Sequence, residues 1–409
     1  MQIKPILVAL RRHKAGTILI ALQIALTLAI VCNGLFIIQQ RLQRLHRPSG
    51  VEETDLFAIE NQWVDKSSTQ RTDAQIQADL IALRQLASVA DASQVNSYPL
   101  SGEGWNSAFS LTAEQAQGNA DISRYFADDH TLATLGVKLI AGRNFRPDEI
   151  TDMTTNGKIA PAVVIITRAL AEHVFPHQSA LGKTVYVTMH GEPGVVIGVT
   201  DTMQGYGGGM RDSMAYNAVL LPARLIEDRS VYLVRAKPGQ LAAAMRDAPK
   251  ALFAQSRLRI IDPEHGVRSF AQARARAYES DRGMAILMGI ICAVLLAITA
   301  AGIVGLTSFW VAQRRKQIGV RRALGARKDQ ILAYFLTENF LISVGGVMVG
   351  TVLTMGMSWW LVLHYEMRLL PLDFVIAGAA VLLLLGQAAT LAPALRASRV
   401  PPVEATRSV

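Results

Sequence analysis

The chain has 409 residues, of which 51% are hydrophobic, and its 41 Lys or Arg against 32 Asp or Glu give a net charge of +9. The hydrophobic residues are concentrated in four long uncharged stretches, a distribution that excludes an ordinary soluble protein. The basic surplus lies beside these stretches. This argues against nucleic-acid binding, which needs a basic face on a folded domain.

Each of the four stretches is long enough for a membrane-crossing helix, since about 20 apolar residues span a hydrocarbon core of ~30 Å. The stretches are Thr17–Ile38, Gly283–Trp310, Phe340–Leu363 and Phe374–Leu395. A buried core helix could explain one of them, but four with basic flanks indicate an integral membrane protein. The first stretch is too long for the apolar region of a signal peptide and no small-residue cleavage site follows it, so we expect it to remain as an anchor.

The charge flanking these stretches predicts their orientation, because cytoplasmic loops are rich in Lys and Arg. Residues 1–50 hold seven basic and no acidic side chains, residues 283–409 hold eleven and five, and residues 51–282 hold 23 and 27. Both termini and the segment 314–330 are therefore expected in the cytosol, and the long middle segment outside. Three basic residues on the outer side are exceptions to this rule: Arg41, Arg44 and Arg47.

The predicted fold is an α-helical integral membrane protein with four transmembrane helices and a large mixed α/β extracytoplasmic domain inserted between the first and second helices. The predicted segments are a cytosolic N-terminus (1–16), transmembrane helix 1 and its stalk (17–41), an α/β domain of two subdomains (42–266), a stalk and transmembrane helix 2 (267–312), a cytosolic coupling loop (313–338), transmembrane helix 3 (339–364), a short external loop (365–373), transmembrane helix 4 (374–395) and a cytosolic tail (396–409).

Within the middle segment, short apolar runs alternate with helical patterns. AVVIIT (162–167) predicts a strand followed by a helix in RALAEHVF, and TVYVTMHGEPGVVIGVT predicts a hairpin with its turn at Gly191–Gly194. SVYLVRA (230–236), a helical pattern over Leu241–Ala254 and then LRIID repeat the strand–helix–strand rhythm. The glycine-rich GYGGGM (205–210) predicts a mobile loop.

The segment from Val267 to Arg282 has a helical pattern and no breaker before the second apolar stretch, so we expect one continuous helix that projects from the membrane. The two cysteines, Cys32 and Cys292, both lie in predicted spans. The exported domain is therefore expected to be stabilised by a packed core of its own rather than by disulfides.

Two patterns in the middle segment resemble catalytic or metal sites but lack required residues. HQSALGKT (177–184) ends like a phosphate-binding loop, but that motif needs a glycine where His177 stands. His173 and His177 have the helical spacing of metal ligands, but Pro176 lies between them and no third ligand follows nearby. We therefore expect no catalytic residue, no metal site and no cofactor on this chain.

The segment RRKQIGVRRALGARKDQ (314–330) places seven positive charges between the second and third apolar stretches. Apolar residues alternate with these charges as on an amphipathic helix, and they are Ile318, Val320, Ala323 and Leu324. The apolar side could rest on a partner protein or on the membrane surface, with Arg321 and Arg322 meeting acidic groups. Alternatively, the charges could serve only to set the topology and to bind lipid phosphates.

A few polar and small residues interrupt the apolar stretches. The polar ones are Gln23, Asn33, Glu338 and Gln387. Acids in membrane segments are costly and often functional, but Glu338 could equally be an interfacial partner of a nearby Arg or Lys. Gly345, Gly346 and Gly350 place small residues on one helix, which favours close packing against another helix.

Longer stretches of the sequence resemble a known family. FWVAQRRKQIGVRRALGARKDQILAYFLTENFLISVGGVMVG resembles the core of the FtsX-type permease domain of ABC transporters, and the C-terminal APALRASRVPPVEATR resembles the tail of that domain. LGVKLIAGRNFRPDE, VVIITRALAEHVFPHQSALGKTVYV and GVVIGVTD resemble the periplasmic domain of MacB-type transporters. These matches cover both ends and the middle of the chain.

The resemblance implies a permease subunit in the bacterial inner membrane, with its large domain in the periplasm. In this family the loop between the second and third spans rests on a cytosolic ATPase dimer, which binds ATP and Mg²⁺. The residues that would form this contact are Arg314, Arg315, Lys316, Ile318, Gly319, Arg321, Arg322, Ala323, Leu324 and Gly325. Because the chain starts almost directly with the first span, we expect the ATPase to be a separate polypeptide.

The resemblance also implies a second permease subunit, identical or related. Membrane lipids are a further expected partner of this chain. ATP binding would draw the two permeases together and move the periplasmic domains, which could act on an adaptor and an outer-membrane channel to export a drug, peptide or toxin. Two alternatives remain open at this point. One is a permease that extracts lipoproteins, and the other is an FtsX-like scaffold that controls cell-wall hydrolases.

Overall fold

The computed structural model describes residues 14–64, 68–113, 115, 117–154, 160–187, 192–210, 213–365 and 368–401. The predicted turn residue Gly191 and most of both cytosolic termini lie outside these residues. The chain divides into two compact units. Met1–Gln43 and Arg282–Val409 form one, here called the membrane unit, and Arg44–Asp281 forms the other, here called the α/β unit.

The described helices differ greatly in length. In chain order they are α1 (Lys14–Leu45), α2 (Thr69–Arg84), α3 (Thr131–Leu135), α4 (Arg168–Val174), α5 (Leu241–Gln255), α6 (Phe270–Ala277), α7 (Glu279–Gln313), α8 (Arg315–Ala323), α9 (Lys328–Tyr365) and α10 (Leu372–Ser398).

The described strands all lie between α1 and α6 in the chain. They are β1 (Leu56–Trp63), β2 (Val89–Val95), β3 (Trp105–Phe109), β4 (Ala120–Ala127), β5 (Leu139–Gly142), β6 (Thr151–Met153), β7 (Val163–Thr167), β8 (Thr184–Tyr186), β9 (Pro193–Thr200), β10 (Ala218–Leu225), β11 (Arg229–Ala236), β12 (Arg259–Ile260) and β13 (Val267–Ser269).

The membrane unit is built from α1, α7, α9 and α10. Among the described residues, these four helices are long and apolar enough to cross a membrane. Helix α1 is the most buried of them, and Ile20, Ile24 and Leu28 along one of its faces pack in a cluster that includes Ile303 and Ile342. The outward faces of α7, α9 and α10 keep many large apolar side chains exposed, as expected for helices that meet lipid.

The α/β unit contains two sheets. One has the order β12–β1–β11–β2, with β13 also paired to β1. The other has the order β3–β4–β10–β7–β9–β5, with β6 paired to β10 and β8 to β9. The second sheet is mixed, because β4 with β10 and β7 with β9 are parallel pairs while β7 and β10 are antiparallel. The prediction of four apolar helices and a mixed α/β domain is therefore confirmed.

Most of the elements predicted within this unit are also confirmed. The strand AVVIIT is β7, its following helix is α4, and the predicted hairpin is the antiparallel pair of β8 and β9. Three buried clusters hold the unit together, and they draw residues from both faces of the sheets.

His177 lies outside α4 in a left-handed backbone conformation, with φ of 62°, so it and His173 do not share a helix.

The prediction of one continuous helix from Val267 to Arg282 is wrong. Val267, Arg268 and Ser269 form β13 and pair with β1, and helix α6 then begins with Ser269 as its N-cap. The helix is interrupted at Tyr278, whose φ and ψ of −106° and 9° are not helical. The tyrosine hydroxyl accepts a hydrogen bond of 2.8 Å from Gln204 Nε2. Strand pairing and a local capping box of Ser269 and Gln272 therefore set the start of α6, and a tertiary contact lies at its end.

The segment predicted as a cytosolic coupling loop (313–338) is largely helical. Helix α8 occupies Arg315–Ala323, and α9 begins at Lys328, well before the predicted start of the third span at 339. Ile331 and Phe335 are one helical turn apart and both are buried, which continues the helix through this charged part of the sequence. Helix α9 therefore continues from the predicted third span into the charged segment.

Candidate functional site

The basic segment between the second and third apolar stretches is organised around α8. The short helix ends at Ala323 with Leu324 as its C-cap, and Gly325 follows with a φ of +94°, in the left-handed region that favours glycine. The backbone N–H of Ala326 donates to the carbonyl of Arg321, and that of Gly325 donates to the carbonyl of Arg322. These bonds satisfy carbonyls that the helix end would otherwise leave free, so the sequence itself terminates α8 at this point.

An ion pair joins the start of α8 to α9. Arg314 Nη1 lies 3.1 and 3.0 Å from the two carboxylate oxygens of Glu338, and the two side chains are only 11% and 3% exposed. Burial weakens solvent screening, so the attraction is strong, but either charge would be costly to leave alone. The structure therefore places Glu338 as the partner of a nearby arginine.

Ile318 fixes the middle of α8. Its side chain is buried with Ile331 and Phe335 of α9 and with Ala394 and Ala397 of α10. The adjacent Gly319 is also buried. Ile318, which was predicted to lie on the apolar side that could rest on a partner, is instead used within the chain itself.

Arg322 fixes the other end of α8 to the C-terminal end of α10. Arg322 Nη1 donates to the carbonyls of Ser398 and Val400, at 2.8 and 3.3 Å. A cation suits this position because carbonyls at a helix C-terminus carry partial negative charge. The guanidinium of Arg321 instead lies over the ring of Tyr334, 5.3 Å from its centroid.

The remaining surface of α8 faces outward and combines apolar and basic side chains. Leu324 is 83% exposed and Val320 is 43% exposed, and they are four residues apart on one helix face. Arg315, Lys316 and Ala323 are exposed as well. Of the ten residues predicted from the resemblance, the structure thus presents six at the outer surface and gives the other four, Arg314, Ile318, Gly319 and Arg322, internal contacts or burial. The six are Arg315, Lys316, Arg321, Ala323, Leu324 and Gly325.

The glycines of α9 divide into two kinds. A Cβ on Gly346 would lie 2.7 Å from the carbonyl oxygen of Ala21, and one on Gly350 would lie 2.9 Å from Ala25 Cα, so both meet the backbone of α1. A Cβ on Gly345 would meet nothing within 4 Å. Close helix packing therefore involves Gly346 and Gly350, while Gly345 lies on another face.

Several polar groups link the apolar helices. Gln23 Nε2 donates to the carbonyl of Ile298 at 3.1 Å, and Asn33 Nδ2 donates to that of Thr354 at 3.3 Å. Thr27 and Thr299 share a hydrogen bond of 2.7 Å between their hydroxyls. The sequence analysis missed this threonine pair, although a hydroxyl in the middle of each apolar run was a usable signal. Gln387 Nε2 is buried without a hydrogen-bond partner among the described residues.

Sequence analysis also missed the contribution of the tail to α8. Ser398 and Val400 follow the fourth apolar stretch, and only the folded chain brings their carbonyls to Arg322.

Within the described residues, no three His, Cys, Asp or Glu side chains are grouped as metal ligands.

Comparison with known proteins identifies the family. Residues 17–252 match the family model of the MacB-like periplasmic core domain, and residues 289–402 match that of the FtsX-like permease C-terminal domain. The first match alone covers more than half of the chain. The chain belongs to the MacB-type, FtsX-like permeases.

Curated relatives of this permease include proteins named for export. It is 27% identical to the macrolide export ATP-binding/permease protein MacB of Chromobacterium violaceum over 328 residues, which cover 75% of this chain and 47% of that protein. It is 29% identical to the pyoverdine export ATP-binding/permease protein PvdT of Pseudomonas syringae pv. syringae over 306 residues, covering 71% and 44%. The permease thus spans about half the length of the curated relatives it matches.

Among solved structures, the permease matches the periplasmic region of MacB from Actinobacillus actinomycetemcomitans. The match has 14% sequence identity and a TM-score of 0.33, and it covers 57% of this chain and 97% of that chain.

Proposed function

We propose that this permease transmits movement from a cytosolic ABC ATPase, which binds ATP and Mg²⁺, to the α/β unit in the periplasm, and that this movement exports a substrate across the cell envelope. The observation that carries the proposal is the construction of α8. It presents Leu324 and Val320 to the outside while three internal contacts hold it to the membrane helices.

The three contacts suit a helix that transmits force. Arg314 and Ile318 connect α8 to α9, and Ile318 and Arg322 connect it to α10. A partner that pushes on the exposed face would therefore displace α9 and α10 together with α8. A helix attached only through a flexible loop could move without affecting them.

The names of the relatives support a substrate class for this proposal. The curated relatives are named for the export of a macrolide and of pyoverdine, and we infer export of a comparable small or peptidic compound. We further propose that a second permease subunit completes the transporter in the bacterial inner membrane, and that an adaptor and an outer-membrane channel receive the substrate.

The exposed face of α8 can be tested with Leu324→Asp. If Leu324 is buried by the ATPase, its removal costs about 2 kcal/mol of contact, or roughly a 30-fold loss of affinity, before the cost of burying a charge. The matched control is Gln330→Asp, which adds the same charge to the exposed first turn of α9 and removes no apolar surface. The measurement is the amount of ATPase that purifies with each variant at equal membrane expression.

We expect the Leu324 variant to lose the ATPase and the Gln330 variant to keep it. Equal losses would mean that the contact depends on net charge only. If both variants retain the ATPase like the parent, α8 is a topology signal and a lipid contact, and the proposed transmission surface is wrong.

A further inference from the structure

The α/β unit contains a cleft of about 480 Å³, within the range of ~300–1,000 Å³ that is usual for ligand sites. Its walls come from β1, β2, β3, β11 and β13, from the end of β10 and the turn after it, from the loop that joins β2 to β3, and from the end of α6. Charged side chains of both signs line it, three acidic and three basic, and we call it the charged cleft. They are Glu60, Glu103, Glu227, Arg229, Arg268 and Arg276.

Two of the basic residues already have acidic partners within the wall. Glu60 accepts from Arg229 at 3.1 Å and from Arg268 at 3.0 Å, so two arginines share one carboxylate. Arg229 also approaches Glu103, at 3.4 Å. These contacts join β1, β11, β13 and the β2–β3 loop, and they hold the wall in a fixed arrangement.

Arg276 differs from the other two arginines. It is exposed at the end of α6, and no carboxylate of the described residues is within ion-pair distance. Glu103 retains a largely accessible carboxylate, because its side chain is 82% exposed and its ion pair among the described residues is the long one to Arg229, at 3.4 Å. The charged cleft thus offers a cation and an anion to a ligand at the same time.

The loop between β2 and β3 is held in one conformation. Ser97 Oγ and Ser101 Oγ both donate to the carbonyl of Glu103, at 2.6 and 2.7 Å. The backbone N–H of Gly102 donates to the carbonyl of Tyr206 at 2.9 Å. Tyr98 of the same loop is buried, and this burial raises the pKa of its phenol to about 12. A pre-formed wall lowers the entropy that a ligand must lose on binding.

We infer that the charged cleft binds a short zwitterionic peptide, whose carboxylate pairs with Arg276 and whose ammonium pairs with Glu103. A ligand with a single charge would meet repulsion from groups of the same sign, whereas a ligand with both charges satisfies each side. The hydroxyl of Ser101 on the same wall donates to the carbonyl of Glu103, and its oxygen can still accept a hydrogen bond from a peptide N–H. The identification of this peptide as the exported cargo rests on the proposed function, but its binding does not.

The position of Arg276 gives binding a structural consequence. Ala277 also lines the charged cleft, and the helix interruption at Tyr278 follows immediately. A Cβ on Gly208 would lie 2.5 Å from the carbonyl oxygen of Ala277, so the glycine-rich loop (205–210) packs directly against the last residue of α6. A peptide held by Arg276 would therefore contact the chain two residues before the interruption between α6 and α7.

The test uses the full chain in lipid nanodiscs, isothermal titration calorimetry and four forms of the peptide Ala-Tyr-Gly-Ala. The forms are the free peptide, its N-acetylated form, its C-terminal amide and the peptide blocked at both ends. We expect the free peptide to bind and each singly blocked form to bind at least about 10-fold more weakly, as for the loss of one charge-assisted contact.

Arg276→Gln distinguishes a specific contact from general attraction. This variant should bind the free peptide about as weakly as the parent binds the amide, and amidation should then have little further effect. Arg257→Gln is the matched control, because Arg257 is an exposed arginine of the same unit that does not line the charged cleft. It should leave all four affinities unchanged.

The proposal is overturned if no form binds at millimolar concentration, if all four forms bind equally, or if the two arginine variants behave alike. Leu324→Asp in the same assay separates this proposal from the proposed function, since that variant should lose the ATPase and keep peptide binding. Peptide binding without any transport would leave the charged cleft in place and refute its role in export.

Discussion

The buried pair of Arg314 and Glu338 allows a quantitative test of how α8 is held. In Glu338→Gln the shape of the side chain is kept, but its charge is lost and the guanidinium of Arg314, whose side chain is 11% exposed, remains buried without its counter-charge. Breaking a buried pair in this way costs about 3–5 kcal/mol. The change is large compared with the ~5–15 kcal/mol by which a folded domain is usually stable.

The double variant Arg314→Met with Glu338→Met is the matched control. It removes both charges together and fills much of the space with apolar atoms, and such replacements of a buried ion pair are often neutral or stabilising. We therefore expect it to be close to the parent in stability. The single and double variants together distinguish the loss of a partner from the loss of the pair.

The assay is the temperature at which the full chain in detergent loses its monodisperse size-exclusion peak, measured together with the amount of ATPase that purifies with it. Glu338→Gln should lower both, because α8 loses one of its three contacts, and the double variant should restore both. If Glu338→Gln matches the parent in both measurements, the pair does not hold α8. If the double variant is stable and retains the ATPase but cannot transport, the charges of Arg314 and Glu338 have a direct function in transport beyond holding α8.

Three further predictions concern other parts of the chain. Asp79→Asn should destabilise the α/β unit by about 3–5 kcal/mol, because it breaks a fully buried pair. Arg259 lies 2.8 Å from Asp79, and Tyr232 donates to the same carboxylate at 2.6 Å. The fluorescence of Trp63, which contacts Arg259, should report earlier thermal unfolding, and an unchanged midpoint would contradict this. Gly346→Ala should lower the stability of the membrane unit by about 1–3 kcal/mol through overpacking against Ala21. Gly345→Ala has open space at its Cβ and should be neutral or stabilising. Equal effects would show that α1 and α9 are not closely packed at Gly346. For the topology, Cys32 and Cys292 are replaced by alanine, and a single cysteine is introduced at Asp152 or at Arg321. The two cysteines should react with a membrane-impermeant reagent from opposite sides of the membrane. Labelling of both in intact cells would refute the predicted topology.

Local composition was sufficient to predict the elements that depend on local physics. The four long helices follow from the length of their uncharged stretches, because a backbone in lipid must satisfy its hydrogen bonds within a helix. Strand β7, helix α5 and the hairpin of β8 and β9 follow from side-chain periodicity and turn residues. These signals extend over a few residues only, so they did not reveal which strands are neighbours or that β7 and β9 run parallel.

The candidate site shows the same limit. The sequence predicted that α8 is basic and amphipathic, and the exposure of Leu324 agrees with this. It did not predict that Ile318 faces inward, because burial there depends on α9 and α10 lying beside it. The interruption at Tyr278 likewise depends on Gln204, which is 74 residues away in the chain.

Tertiary structure alone brought together the groups of the charged cleft and the contacts of α8. Glu60, Glu103 and Arg276 are far apart in the sequence, and each reads as an ordinary surface charge there. Arg322 likewise has no visible partner in the sequence, and the carbonyls of Ser398 and Val400 reach it only after α10 has packed beside α8. Sequence patterns report the preference of each segment, whereas a site depends on distances between segments, which only the packing of the whole chain determines.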